Sequence, residues 1–526
     1  MTKLRAILLG SALALPIATG AFADTPPGLL IVAQNIDDIV AIDPAQAYEF
    51  TSGELVTNVY DRLIQYDAED PTTLAPGLAT EWSIDEATKT ITFTMREGVT
   101  FHSGNPVTAD DAAGSLQRVI KLNLTPAFIL AQLGWTAENV EEMVVADGNK
   151  VTIRYEGDFS PAFVMNVLAS RPASVVDMQT AMANEVDGDM GNAWLNANSA
   201  GSGPFELQAY RPAEIIRLAA NEDYFKDGPK VDGVILRHVA ESATQQLLLE
   251  QGDIDLARNL TPDQVASLGD GIKVETFPQA AVHFLSFNQK TDSLTDPAVW
   301  EAARYLVNYD GMTDTILAGQ MEVHQSFWPK GFPGAVEETP FDYDPDKARQ
   351  ILEDAGVELP IQVEMDVINA APFTDMAQSL QASFADAGIE FDILPGTGAQ
   401  VITKYRDRTH EAMLLYWGPD FMDPHSNAKA FAYNSDNSDG NYTATTTWRN
   451  AWAVPDALNE KTTAALTEAD PEARLDIYRD LQREVQAESP IVIMFQASYQ
   501  VAMDEGVTGY VNGATSDFVF YRLVEK

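Results

Sequence analysis

Hydrophobic residues alternate with polar residues along several segments of this chain, and segments of helical periodicity follow them. The clearest example is the stretch 361–393, where two alternating segments flank one with hydrophobic residues four positions apart. In order, these hydrophobic positions are Ile361, Val363, Met365 and Val367, then Met376, Leu380 and Phe384, then Ile389, Phe391 and Ile393. Alternation is typical of strands and a spacing of four is typical of helices. The stretch predicts a strand, helix, strand unit in a parallel sheet.

Other segments carry the same periodicities together with residues that begin helices. The segment 90–96 alternates and predicts a half-buried strand. Residues 51–54 have the composition of a capping box, and Leu55, Val59 and Leu63 then share one helical face. Further candidate helix caps are Thr108 and three aspartates that precede proline, namely Asp296, Asp344 and Asp470. Strands alternating with helices, without a short repeat, predict an α/β fold.

A hydrophobic run at the end of one predicted strand stops abruptly at polar and turn-forming residues. The run Ala412–Trp417 is followed directly by Gly418, Pro419 and Asp420. In open parallel sheets, ligands bind at the carboxyl ends of the strands. We therefore expect Trp417 and Asp420 to lie beside a ligand site.

The first 23 residues have the pattern of a secretory signal peptide. Lys3 and Arg5 precede a hydrophobic run at 6–18, and residues 21–23 are Ala-Phe-Ala, the small-x-small pattern of a cleavage site. We expect cleavage after Ala23, which leaves Asp24 as the first residue of the mature chain. The run is shorter than the roughly 20 residues of a membrane helix, and no later stretch reaches that length. The sequence thus predicts a periplasmic protein that does not insert into the membrane.

Charge and cysteine content exclude several kinds of partner. The net charge is −45, and becomes −47 once Lys3 and Arg5 are removed. Phosphate backbones and anionic lipids repel such a polyanion, so nucleic acid is excluded as a partner, and the acidity indicates a solvated surface. The chain contains no cysteine, which excludes disulfides, thiolate metal sites and a lipid-modified cysteine.

Motifs for catalysis, metal binding or cofactor binding are missing from the sequence. The six histidines show neither HExxH nor a pair at metal-ligand spacing, so we interpret them as ordinary surface or packed residues. The glycines at 201 and 203 continue into Pro204, which breaks a dinucleotide-binding fingerprint, and neither a Walker loop nor a G-x-S-x-G elbow occurs. Acidic pairs such as Asp110 and Asp111 leave one enzyme alternative, a hydrolase that uses two carboxylates.

Eight short segments, in a fixed order, resemble those of one protein family. They are LATEW (78–82), TITFTMREGVTFHSG (90–104), PVTADD (106–111), GSGPF (201–205), NEDY (221–224), GDID (252–255), YDPDKA (343–348) and WGPDFMDP (417–424). Their order and spacing resemble the family 5, or cluster C, extracytoplasmic solute-binding proteins, typified by the dipeptide- and oligopeptide-binding proteins of ABC importers. The resemblance covers essentially the whole mature chain.

This resemblance implies a two-lobed, type II periplasmic binding protein with an extra inserted domain. Lobe I would be discontinuous and would consist of residues 24–59, 200–288 and 501–526. The inserted domain II would span 60–199, and lobe III would span 289–500. Two strand crossings between the lobes would form a hinge.

The resemblance also implies a set of ligand-binding residues. Asp420 matches the family aspartate that binds the α-ammonium of the ligand, and a carboxylate in a drying cleft attracts a cation strongly. Trp417 matches an aromatic residue that flanks the ligand, with Tyr416 and Gly418 beside it. Tyr48 and Glu49 lie in the loop that, by analogy, brings the backbone of lobe I to the ligand. Asp423, by contrast, is expected to shape the loop.

The sequence departs from the family in one respect. Dipeptide binders place an arginine in the segment that corresponds to 366–375, where it pairs with the ligand carboxylate. Here no lysine or arginine occurs between Arg349 and Lys404. A buried carboxylate without a partner is costly, so longer peptides, capped or cationic amino compounds and oligosaccharides all stay open as ligands.

The resulting functional hypothesis is a monomeric periplasmic receptor that binds a peptide-like amino compound and delivers it to the permease subunits of an ABC importer. It would need no cofactor and would not be an enzyme. One alternative is the same receptor with an oligosaccharide stacked on Trp417, Tyr416 and Phe421. Two others are the carboxylate hydrolase named above and a chaperone-like protein that holds unfolded peptides.

Overall fold

The structure is a computed structural model that describes residues 25–67, 73–441, 443, 445–513, 515 and 519–526. The predicted signal peptide and its cleavage site lie outside these residues.

The strands are numbered β1 to β19 over the described residues. They are β1 (Leu29–Gln34), β2 (Ile64–Tyr66), β3 (Leu74–Pro76), β4 (Ala79–Asp85), β5 (Thr90–Met95), β6 (Val144–Asp147), β7 (Lys150–Arg154), β8 (Phe205–Arg211), β9 (Ile215–Ala220), β10 (Gly233–His238), β11 (Leu256–Ala257), β12 (Ile272–Phe287), β13 (Met321–Val323), β14 (Ile361–Ile368), β15 (Ile389–Gly396), β16 (Ala412–Trp417), β17 (Ile491–Asp504), β18 (Val511–Asn512) and β19 (Val519–Phe520).

The α-helices are numbered α1 to α18 in the same way. They are α1 (Phe50–Val59), α2 (Ala109–Leu122), α3 (Ala127–Ala131), α4 (Val140–Met143), α5 (Pro161–Leu168), α6 (Met178–Ala183), α7 (Asn192–Leu195), α8 (Ser242–Glu250), α9 (Pro262–Ala266), α10 (Pro297–Leu306), α11 (Tyr309–Thr313), α12 (Pro345–Ala355), α13 (Phe373–Ala385), α14 (Gly398–Arg406), α15 (Pro424–Ala432), α16 (Thr446–Arg449), α17 (Asp456–Thr467) and α18 (Pro471–Glu488).

One large mixed sheet runs through the molecule in the order β15-β14-β16-β12-β17-β11-β1-β10-β9-β8, with β13 paired to β17. Its two halves are joined by the long strands β12 and β17, which pair antiparallel along most of their length. The register of this pair is irregular between Pro278 and Val282. The chain therefore passes between the two halves of the sheet along two neighbouring strands.

The buried hydrophobic residues form separate cores on the two halves of this sheet and on a smaller one. One half packs β1, β10 and β11 against α1 and the C-terminal segment. The other half covers both faces of β14, β16 and β12 with hydrophobic clusters. A third core lies between helices α2 and α5 and the four-stranded sheet β4-β5-β7-β6. Each region thus buries its own hydrophobic surface, which is the main source of its stability.

The local predictions for this part of the chain are confirmed, with one exception. Strands β14 and β15 pair in parallel and are connected by α13, as the periodicity predicts. Thr108 and Asp111 form a capping box, and the three aspartates before proline each accept a helix N–H. The predicted capping box at 51–54 is wrong, since α1 begins at Phe50 and Glu49 is its cap residue, without a capping side chain.

The reason for this exception is a tertiary contact. Glu54 is buried, and its carboxylate pairs with the guanidinium of Arg258 at 2.5 Å. It also accepts a hydrogen bond from the hydroxyl of Tyr521. Leu63, which the periodicity placed on the same helix, lies beyond the end of α1 at Val59.

Candidate functional site

Four of the residues predicted to bind the ligand lie at or directly after the carboxyl end of β16, namely Tyr416, Trp417, Gly418 and Asp420. This strand is parallel to β14 and antiparallel to β12, and it ends at Trp417. A β-carbon on the next residue, Gly418, would lie 3.2 Å from the carbonyl oxygen of Ala280. Glycine thus lets the chain leave the sheet close to β12 and turn towards Asp420.

The carboxylate of Asp420 meets a residue from the other end of the chain. Its Oδ1 atom accepts a hydrogen bond of 2.7 Å from the hydroxyl of Tyr48. Its backbone N–H donates to the hydroxyl of Ser426 at 2.9 Å, which fixes the loop after β16. Two of the predicted site residues, Tyr48 and Asp420, are therefore brought into direct contact.

Burial raises the pKa of Asp420 above its ordinary value. The hydrogen bond from Tyr48 and the positive charges of Arg171, Lys429 and Arg449 act in the opposite direction without cancelling the effect of burial. A carboxylate in such a place is stabilised by an additional cation, because the surroundings solvate its charge less well than water does. The position suits the binding of an ammonium group.

Tyr48 stands in an aromatic and partly exposed setting. Its ring packs edge-on against Phe128, with centroids 6.1 Å apart. Burial of the hydroxyl and the neighbouring charge of Asp420 hold the pKa of Tyr48 well above its usual range, so the hydroxyl remains a donor. Its carbonyl oxygen accepts a hydrogen bond of 3.4 Å from Arg171.

Glu49, in contrast, is turned towards its own segment. Its carboxylate accepts hydrogen bonds from the hydroxyl of Ser52 at 3.3 Å and from the N–H of Tyr48 at 3.4 Å. Both contacts help to shape the loop before α1. They link Glu49 to the site through the backbone of Tyr48.

The aromatic residues around the site do not form one stacking surface. Tyr416 packs against His283 and Phe373, with centroids 5.7 and 5.9 Å apart. Trp417, the next residue of the strand, belongs to the opposite face of the sheet and meets Phe431 edge-on at 6.2 Å. Phe421 is buried and contacts Phe163 at 5.6 Å. Their rings therefore point in three different directions.

The structure adds residues that the sequence pattern did not single out. Arg449, at the end of α16, lies over the ring of Trp417 at 5.9 Å and over that of Tyr405 at 5.3 Å. Arg449 and Arg171 both come close enough to Asp420 for their charges to lower its pKa. No local signal marks either arginine, because each reaches the site from a distant segment.

Asp423 has the structural role that was predicted for it. Its buried carboxylate caps α15 and forms a two-point ion pair with Arg474, at 2.7 and 2.8 Å. A cavity of about 150 Å³ lies beside this pair and is also lined by Tyr66 and Trp328. The charges of Asp423 and Arg474 are thus directed at each other.

Two observations concern metals and membranes. Among the described residues, no group of three or more histidine, aspartate or glutamate side chains is arranged to hold a metal ion. In the same part of the chain, every helix falls short of the length and hydrophobicity that crossing a bilayer requires.

Comparison with known proteins assigns a family. The model for "Bacterial extracellular solute-binding proteins, family 5 Middle" matches residues 73–439. A probable D,D-dipeptide-binding periplasmic protein of Escherichia coli (strain K12) is 26% identical over 520 residues, covering 97% of this chain and 96% of that protein. A dipeptide-binding protein of Pseudomonas aeruginosa is 26% identical over 517 residues, covering 92% of both chains.

A solved structure of the same kind has a similar fold. It is an ABC transporter-associated periplasmic binding protein from Helicobacter pylori in complex with the peptide STSA, with a TM-score of 0.76 and 23% identity. The match covers 95% of this chain and 98% of that one. The predicted α/β fold of a two-lobed binding protein is confirmed.

Proposed function

Since this chain belongs to the bacterial extracellular solute-binding proteins of family 5, we propose that it binds a peptide or peptide-like amino compound and delivers it to the permease of an ABC importer. Its relatives include a probable D,D-dipeptide-binding periplasmic protein and a dipeptide-binding protein, and each match extends over nearly the whole length of both chains. The family is one of substrate-binding proteins, and we infer that this member binds its ligand without converting it.

The observation that carries this proposal is the contact between Asp420 and Tyr48. The carboxylate accepts one hydrogen bond from a neutral hydroxyl, and its pKa is raised by burial. A ligand ammonium at the same oxygen would supply a positive charge as well as a donor, and such charge-assisted bonds are stronger than neutral ones. The site therefore favours a ligand with an amino group.

We propose that the chain folds into three regions. They are lobe I (24–59, 200–288 and 501–526), domain II (60–199) and lobe III (289–500). The strands β12 and β17 would be the hinge, which their irregular register near Pro278 and Val282 supports. Tyr48 would belong to lobe I and Asp420 to lobe III. Closure of the lobes would then bring the two residues together around a ligand.

An oligosaccharide is less well suited to this site. Sugars stack on flat aromatic surfaces, and the rings of Tyr416, Trp417 and Phe421 face different neighbours.

We further propose that the mature protein is a periplasmic monomer that begins at Asp24 and contacts the permease subunits through both lobes.

A melting-temperature screen of the purified mature protein tests the proposal. The screen would compare peptides of two to five residues, free amino acids and oligosaccharides, since any ligand of the folded state raises the melting temperature by mass action. We expect peptides to raise it and the oligosaccharides to leave it unchanged. Stabilisation by oligosaccharides alone would contradict the proposal.

Mass spectrometry of the peptide after incubation with the protein tests whether the ligand is converted. We expect the peptide to be recovered intact. A cleaved product would support the hydrolase alternative, in which two carboxylates carry out the reaction.

A further inference from the structure

Two buried N–H donors in the site have no hydrogen-bond acceptor in the described part of the chain. They are the Nε–H of Arg449 and the indole N–H of Trp417. Arg449 is only 8% exposed, and within the described residues its guanidinium forms neither a hydrogen bond nor an ion pair. Buried donors without acceptors are rare, because each has lost its hydrogen bonds to water.

The side chains that carry these two donors are in contact. The guanidinium carbon of Arg449 is 5.9 Å from the centre of the Trp417 ring and 5.3 Å from that of Tyr405. The two rings hold the planar guanidinium in place, so little side-chain freedom remains to be lost when a ligand binds. An acceptor with two oxygens, such as a carboxylate, matches the donor geometry of an arginine.

The charge of Arg449 also reaches the proposed ammonium site. Burial raises the pKa of both Asp420 and Tyr48, and Arg449 is among the groups that lower it. A negative and a positive group thus stand near each other at the end of β16. This arrangement is complementary to a zwitterion.

The segment 366–375 offers no such partner. It has no arginine or lysine, and its buried Asp366 is paired with Lys404 at 2.8 Å. This segment therefore supplies no cation that could pair with a ligand carboxylate. A ligand carboxylate must find its counter-charge elsewhere in the site.

We propose that Arg449, assisted by the indole N–H of Trp417, binds the carboxylate terminus of the ligand. This inference rests on the proposed function, since it takes the ligand to be a peptide whose ammonium group binds Asp420. It narrows the substrate class to peptides with both termini free. Arg449 would then determine the specificity for the carboxylate end.

The test uses alanine peptides of two to five residues, each as the free acid and as the C-terminal amide, with calorimetric titration of the mature protein at pH 7. We expect the wild type to prefer the acid by about 10- to 100-fold, the effect of one charge-assisted interaction. Arg449→Gln should bind the acid and the amide within about threefold of each other. Arg449→Lys, which keeps the charge but lacks the planar fork, should show an intermediate preference.

Arg408→Gln is the matched control. Arg408 is also a buried arginine, stacked on Trp448 at 4.4 Å, but its terminal nitrogens are bonded to Asn437 and Asp439. Its substitution should lower the melting temperature and leave the acid-to-amide ratio of the affinities unchanged. A purely structural role of Arg449 would likewise weaken the acid and the amide in parallel.

The outcomes separate the two proposals. If the wild type binds peptides but does not distinguish acid from amide, or if Arg449→Gln keeps the full preference, the role of Arg449 is overturned while the peptide function stands. If the wild type binds none of the peptides, the proposed function fails and this inference fails with it.

Discussion

The hydroxyl of Tyr48 donates a 2.7 Å hydrogen bond to the carboxylate of Asp420, although 372 residues separate the two in the sequence. The contact joins the loop before α1 to the loop after β16. It places a neutral donor at the oxygen atom where we expect a ligand ammonium to bind. A ligand ammonium that binds this oxygen would share it with the hydroxyl of Tyr48 or replace that hydroxyl.

Replacement of Asp420 by asparagine should weaken amino-bearing ligands selectively. The variant keeps the size of the side chain but loses the negative charge, so we expect peptides with a free ammonium group to bind about 10- to 100-fold more weakly. N-acetylated peptides should lose much less. Calorimetric titration with matched free and acetylated peptides measures the difference, and an equal loss for both would contradict a role for the charge.

Ligand affinity should fall in acid, because the proposed ammonium site needs the carboxylate form of Asp420. The pKa of this residue is raised by burial, so protons compete with the ligand at a higher pH than at an ordinary aspartate. Above this pKa the affinity should not depend on pH. Below it, the affinity should fall by up to about tenfold per pH unit. Titrations between pH 4 and 8 measure the profile, and Asp420→Asn, which does not titrate, is the control.

Tyr48→Phe should shift this profile to higher pH. The hydrogen bond from Tyr48 lowers the pKa of Asp420, so its removal raises that pKa further. The phenylalanine ring can keep the edge-on contact with Phe128, which separates loss of the hydroxyl from loss of packing. A profile that stays in place would show that the hydroxyl does not influence the carboxylate in solution.

The buried pair of Asp423 and Arg474 should be important for stability. Both side chains are almost completely buried, at 1% and 3% exposed, and removal of one partner leaves a buried charge alone. We expect Arg474→Gln to lower the free energy of unfolding by about 3–5 kcal/mol. Urea denaturation measures this value.

An exposed ion pair provides the control for that substitution. Arg211 and Glu214 pair at 2.7 Å with 66% and 61% of their side chains exposed. Glu214→Gln should change the free energy of unfolding by less than about 1 kcal/mol, as is usual for exposed pairs. Equal effects of the two substitutions on the free energy of unfolding would contradict the larger contribution expected from the buried pair.

Four buried histidines should make the protein less stable as the pH falls below 6.5. Burial lowers the pKa of His283, His324 and His410 to about 4 and that of His425 to about 3, from 6.5. The folded state therefore stays neutral at these positions while the unfolded state takes up protons. Each histidine should lower the free energy of unfolding by about 1.4 kcal/mol per pH unit as the pH falls from 6.5 to the pKa of that histidine in the folded state.

Urea denaturation between pH 5 and 7 checks this prediction. His283→Phe should reduce the slope of the unfolding free energy against pH by about 1.4 kcal/mol per pH unit, which corresponds to the uptake of one proton. His238→Phe is the control, because His238 is only half-buried. An unchanged slope for the first variant would show that His283 is protonated in the folded state.

Much of the fold followed from local patterns. The periodicity of residues 361–393 predicts β14, α13 and β15 because their buried faces repeat with the period of the element itself. The capping positions Thr108, Asp344 and Asp470 were correct because a cap forms hydrogen bonds only with its own first turn. Glu54 was misread because a distant arginine, Arg258, binds its carboxylate.

The sequence by itself determined the α/β class, the family and the place of Asp420 and Trp417 at the end of a strand, since all of these depend on order along the chain. Only the tertiary structure decided that Tyr48 meets Asp420, that Tyr416 and Trp417 face opposite sides, and that Arg449 lies over Trp417. The physical reason is that hydrogen bonds and charges act through space over a few ångströms. The neighbours of a side chain are therefore chosen by the path of the whole chain, which no short segment encodes.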